Sequence, residues 1–232
     1  MDCKKLLVFA LVALISAAKV NASILIAFPS TNTPDELAPS ELADPLTALK
    51  LRRGSGLNAA TGSTFNSKHW SETSMADAIM AEDYLTWGFG ADSSFQLDKL
   101  TLRYDRSASG PRQIAVQLSL DDDASFETVW HDANVADNST DFHQIDLSLW
   151  HPSTSAWFRI VGWNATGLQG TFDIENYQST PFRAIAVTGS FPSSPVPEPA
   201  THLAWLGAAV GIVLLRGWHV RYPTRLKPSS TE

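Results

Sequence analysis

The chain has 232 residues, 44% of them hydrophobic and 18% charged, and a formal net charge of −7; that is the composition of one ordinary globular domain with short appendages, neither disordered nor fibrous. Residues 23 to 199 hold 10 Lys and Arg against 22 Asp and Glu, a net −12, so this part repels phosphate backbones and no nucleic-acid partner is expected. The single cysteine, Cys3, lies ahead of the first apolar run and would leave with it, which excludes disulfides, Cys-ligated metals and thiol nucleophiles from the mature protein.

In chain order, the first element is a tripartite signal peptide. Lys4 and Lys5 make a positive n-region, Leu6 to Ala18 an apolar h-region, and Ser16-Ala17-Ala18 and Val20-Asn21-Ala22 offer small residues for cleavage. The apolar stretch is too short to span a hydrocarbon core, so cleavage is expected, after Ala22 or after Ala18. The segment 1–22 is therefore read as leader and 23–191 as the exported domain.

Strand signals dominate that domain. Ser23 to Phe28 opens it; residues 30 to 66, rich in Pro, Ser, Thr, Asn and Gly, predict long loops with short strands. One helix is predicted from Ser74 to Tyr84, with Ser74 as cap and Met75, Ile79 and Met80 as its apolar stripe. Strands then follow at Phe95 to Tyr104, Phe142 to Leu149, Trp157 to Trp163, Thr171 to Ile174 and Ala184 to Thr188. Between the first two of these, Ile114, Val116, Leu118 and Leu120 alternate with Ala115, Gln117 and Ser119, the period-2 pattern of a strand with one buried face. Turn chemistry separates them, at Ser109-Gly110-Pro111, Asp121-Asp122-Asp123 and Asn164-Ala165-Thr166-Gly167. Many short strands without alternating long helices point to an all-β fold, an antiparallel β-sandwich.

Residues 192–199, Pro192-Ser193-Ser194-Pro195-Val196-Pro197-Glu198-Pro199, are a linker, because prolines lack the amide donor and fix φ. A transmembrane helix is read at 200–218: Ala200 to Leu215 is apolar apart from Thr201 and His202 and would cover about 24 Å, with Trp218 and a snorkelling Arg216 extending the span. The tail 219–232 is basic, and Arg216, Arg221 and Arg225 predict that it stays in the cytoplasm with the acidic domain outside.

The succession Val196-Pro197-Glu198-Pro199, apolar helix and arginine-bearing tail resembles the PEP-CTERM sorting signal of exopolysaccharide-producing bacteria. The resemblance implies export through the translocon, handling by the membrane transpeptidase exosortase near Pro-Glu-Pro, and either anchorage in the cytoplasmic membrane or release to the cell surface. The arginines here are spread out and the chain runs on to Glu232, where the family pattern has a compact cluster close to the end. The middle of the chain resembles the jelly-roll domain that accompanies this signal, on Tyr104-Asp105-Arg106-Ser107-Ala108-Ser109-Gly110-Pro111-Arg112, Val116-Gln117-Leu118-Ser119-Leu120-Asp121, Phe158-Arg159-Ile160-Val161-Gly162-Trp163, Gly170-Thr171-Phe172-Asp173-Ile174-Glu175-Asn176 and Ile185-Ala186-Val187-Thr188-Gly189. It spans roughly residues 65 to 190 and implies a fold and an address, without a reaction. A segment from Tyr177 to Phe182 interrupts the pattern before the last strand.

Three functional expectations follow. The first is a non-enzymatic exported protein of the extracellular-polysaccharide or biofilm matrix. The second is a carbohydrate-binding module: the exported part carries six tryptophans, and Trp157 and Trp163 share strand parity with Arg159, opposite to Phe158 and Ile160, so one of the two sets faces away from the core. The third is a glycoside hydrolase using Asp173 and Glu175, which are two apart on a strand, about 7 Å at the backbone, a separation open to either hydrolysis geometry. No nucleophile elbow, HExxH pair or phosphate loop occurs, and His69, His131, His143 and His151 have no ligand spacing, so no zinc site is expected. No cofactor is expected. Asp121 and Asp123 are candidate calcium ligands, with a plain acidic hairpin tip as the other reading of Asp121-Asp122-Asp123. Arg106 and Arg112 are expected to pair with nearby acids.

Overall fold

The computed structural model describes residues 22–31, 36–122 and 124–192. The strands are β1 (Ser23–Phe28), β2 (Glu41–Leu42), β3 (Thr47–Ala48), β4 (Arg52–Arg53), β5 (Asn58–Ala59) and β6 (Phe65–Lys68), then β7 (Tyr84–Arg106), β8 (Gln113–Leu120), β9 (Glu127–Asp132) and β10 (Asp141–Asp146). β11 (Ser153–Trp163), β12 (Thr171–Ile174), β13 (Gln178–Ser179), β14 (Phe182–Arg183) and β15 (Ile185–Ser190) complete those of the described residues, with a helix, α1 (Met75–Met80), between β6 and β7. The architecture is all-β, and the pairings are antiparallel. Residues 36 to 64 form the expected long loops with two-residue strands. The expected leader, the Pro-Glu-Pro motif, the segment expected to be a transmembrane helix at 200–218 and the basic tail lie outside the described residues; among those described, no helix is long and apolar enough to cross a membrane.

The long strand β7 organises the molecule because it serves two sheets in turn. Its first half, Tyr84 to Gly90, pairs with β11, and β11 with β8 and β8 with β9; β3 and β4 close its other edge. Its second half pairs with β15, β10 and β12, and β1 and β2 extend beyond β15. Side chains from both sheets meet between them: Phe28 of β1 sits edge-on to Trp87 of β7 at 6.2 Å, and Trp87 stacks on Phe158 of β11 at 5.1 Å. These alternate residues are buried, as a two-residue period requires.

The helix is shorter than expected. Ser74 caps it, its side chain accepting from Asp77 N, but Glu82 adopts φ 58°, which stops the helix and turns the chain into β7. Ala78 and Ile79 meet the sheet, whereas Met80 is 77% exposed, so the expected stripe narrows. Similarly, β10 ends at Asp146, whose carboxylate accepts from Ser148 N, leaving Leu149 exposed in the turn. β8 departs in the opposite direction. Both of its faces are buried, because α1, Arg159 and the turn after β8 cover the side that carries Ala115, Gln117 and Ser119.

Candidate functional site

The outer face of β11 is divided in two by α1. At one end, Val161 and Trp163 join Ala78 and Ala115 in a small apolar cluster under the helix, and Trp163 stacks on His131 at 5.3 Å. Trp163 is only 7% exposed and is unavailable to a ligand, because α1 occupies the space above it. Parity thus separates the inward and outward sets correctly, but only a neighbouring element decides which outward residues meet solvent.

At the other end the same face is open. Trp157 lies opposite Gly88 of β7 and Ser119 of β8, and a Cβ on Gly88 would stand 2.7 Å from the indole Cε3. The absence of a side chain at Gly88 lets the indole lie against the strand, since real carbon contacts do not approach so closely. Trp157 forms the wall shared by two adjoining hollows. One, of about 270 Å³, runs past Thr47, Ala48, Gly90 and Ser155; the other, of about 130 Å³, runs past Tyr84, Thr86, Phe126 and Arg159. Leu49 borders both. From Ser155 to Arg159 the face extends about 13 Å along the strand, a length suited to a short stretch of an extended polymer.

Arg159 forms the polar end of this groove. Its Nε donates to Gln117 Oε1 at 2.5 Å, and Gln117 Nε2 donates in turn to Thr128 Oγ1 at 3.1 Å. The guanidinium lies 4.0 Å from the Phe126 ring centroid and 5.6 Å from that of Tyr84, a cation–π arrangement that holds its plane. Burial pulls its pKa below the usual arginine value, although a guanidinium stays charged at any pH at which the protein is folded. Among the described residues, no Asp or Glu lines the hollow that contains it.

The remaining candidates are placed as follows. Asp173, exposed only in part, accepts from Thr64 Oγ1 at 2.7 Å; burial, with the neighbouring Glu175 and Asp105 carboxylates, pushes its pKa up to about 7. β12 ends at Ile174, and Glu175 follows just beyond it, its amide donating to the Arg103 carbonyl of β7 at 2.9 Å. Asp121 accepts from Ser153 Oγ, and Asp122 accepts from Ser119 Oγ and from the amides of Ala124 and Ser125, so the two described acids of the tip are engaged in closing the turn; Asp123 lies outside the described residues. Arg106 is buried and donates to the carbonyls of Val135, Ser107 and Ala108 in place of the expected acids.

The histidines have no ligand spacing in sequence, yet pairing of β10 with β7 brings His143 beside Asp141 and the end of β9. Asp132, Asp141 and His143 offer ligand atoms within 4.8 Å of one another. The buried Tyr104 hydroxyl contacts Asp132 Oδ2 at 3.0 Å and His143 Nε2 at 3.1 Å, so two of the three are already satisfied by a phenol.

No protein-family model matches the chain, and no curated protein is similar to it. Several solved structures are. A mutant of a family 29 carbohydrate-binding module complexed with cellulohexaose matches with a TM-score of 0.39 and 13% identity, over 73% of this chain and 93% of that one. Another mutant of the same module, complexed with mannohexaose, matches with a TM-score of 0.37 and 10% identity, over 73% and 93%. A family 61 module in complex with β-1,4-galactotriose has a TM-score of 0.34 and 7% identity, over 68% and 93%. These structural neighbours are carbohydrate-binding modules; superpositions this loose transfer neither a ligand nor a residue to this chain.

Proposed function

We propose that this chain is an exported, non-catalytic carbohydrate-binding protein: a jelly-roll module held outside the cytoplasmic membrane, or passed to the cell surface, that binds a polysaccharide chain in the groove at Trp157. The observation that carries the reading is a half-buried indole laid over a glycine in an open groove bordered by hydroxyl and guanidinium groups. Sugar rings present apolar C–H faces ringed by hydroxyls, so they suit an aromatic face with polar groups beside it. The groove favours the binding reading over an inert matrix protein, which requires no such surface. It also favours it over hydrolysis, since neither Asp173 nor Glu175 lines the groove.

The test is binding of the purified full chain to a glycan array containing neutral and acidic oligosaccharides, with chelator and without. Retention of at least one class of extended glycan is expected; absence of all binding overturns the proposal. The address rests on the leader and on Val196-Pro197-Glu198-Pro199 with its basic stop at Arg216, Arg221 and Arg225. Mass spectrometry of the cell-derived protein is expected to find a new C-terminus near Pro199, as exosortase handling requires, and an intact Glu232 overturns that part.

A further inference from the structure

We propose that the polysaccharide is acidic, and that the Arg159 end of the groove recognises a sugar carboxylate. This rests on the glycan-binding reading above and specifies its substrate class. The argument begins from charge. Residues 23 to 199 carry a net −12 with only 10 cations, yet Lys50, Arg52 and Arg159 line one hollow, and none of the described acids does. Such a concentration of scarce positive charge on an otherwise repelling surface localises a polyanion to one place.

Arg159 differs from the other well-held arginines in what its donors meet. Arg183 pairs with Glu41 through Nη2 at 2.8 Å, and Arg106 is satisfied by three carbonyls. Arg159 is half-buried, forms no ion pair among the described residues, and spends only its Nε, on Gln117. Its two Nη groups have no acceptor among those residues. Withdrawing a cation from water without a partner is costly, and a carboxylate arriving in the groove would supply that partner with the two-pronged geometry a guanidinium favours. Gln117 and the Phe126 ring already hold the fork in place, so little ordering remains to be done on binding. Arg52 is exposed on β4, opposite Thr86, and adds a second positive group along the same wall, while Lys50 is partly neutralised by Glu36 at 3.4 Å.

The experiment compares oligogalacturonate with its fully methyl-esterified form, which keeps the backbone and removes the charge, together with neutral gluco-oligosaccharides, on the full chain by calorimetry. Oligogalacturonate is expected to bind about tenfold tighter than its ester, the effect of one charge-assisted contact, and to weaken with added salt while the ester does not. Arg159→Gln is expected to abolish the difference, so that the variant binds acid and ester with equal affinity. Arg52→Gln, an exposed position where folding is not at stake, is expected to reduce it. Equal affinity for acid and ester, or a preference for neutral glycans that Arg159→Gln leaves untouched, overturns the acidic specificity but leaves glycan binding standing. Binding to none of these probes and to nothing on the array overturns both.

Discussion

Trp157→Ala is expected to weaken glycan binding by about thirtyfold or more, since a central aromatic anchor in an interface typically contributes 2 kcal/mol or more. The indole borders both hollows, so its loss merges them into a shallow trough and removes the aromatic face that they share. Folding should survive. Trp157 points away from the inter-sheet core, where Phe158 and Trp87 stack, and Gly88 beneath it leaves no side chain to be stranded. The measurement is titration of the best array ligand into wild type and variant, with thermal unfolding of both. An affinity within threefold of wild type and an unchanged melting temperature would remove Trp157 from the site.

The second large effect concerns pH. A carboxyl raised from the ordinary value of about 3.9 to about 7 favours the folded state only when protonated. Asp173 therefore contributes stability fully present below about pH 4, lost progressively as pH rises, and gone above about pH 7. The full shift corresponds to about 4 kcal/mol for a shielded group, and partial exposure of Asp173 reduces it to about 2 kcal/mol. Asp173→Asn keeps the shape and an acceptor for Thr64 while removing the charge. The variant should match wild type near pH 4 and exceed it by about 2 kcal/mol at pH 8, a difference of roughly 4–8 °C in melting temperature. Denaturant unfolding of both proteins at the two pH values decides it; a stability gap that does not change with pH refutes the buried carboxyl.

Much of the fold is legible in the sequence because strand patterning is local. The alternation of Ile114, Val116 and Leu118 identifies β8, and Phe158 and Ile160 identify the inward face of β11. What escapes local reading is the strand that changes sheets. Phe95 to Tyr104 reads as one strand, but Tyr84 to Gly90, read partly as helix end, belongs to the same continuous β7, because its partner β11 lies some seventy residues on. β9 escapes for a related reason: none of its side chains is fully buried, and its pairing with β8 supplies the order that they do not. The Tyr177 to Phe182 segment becomes a small hairpin of β13 with β14, closed by the pairing of Gln178 with Arg183.

The site divides along the same line. Sequence alone determines that Trp157, Arg159, Val161 and Trp163 share one face of a strand, since side chains alternate with a period of two, and that residues 23 to 199 are acidic. It cannot tell Trp157 from Trp163. That distinction is tertiary: α1 settles over Val161 and Trp163, Gly88 makes room beneath Trp157, and Lys50 and Arg52 arrive from a loop a hundred residues earlier to meet Arg159. Burial and juxtaposition depend on which distant segments pack together, and no pattern within a single strand encodes them.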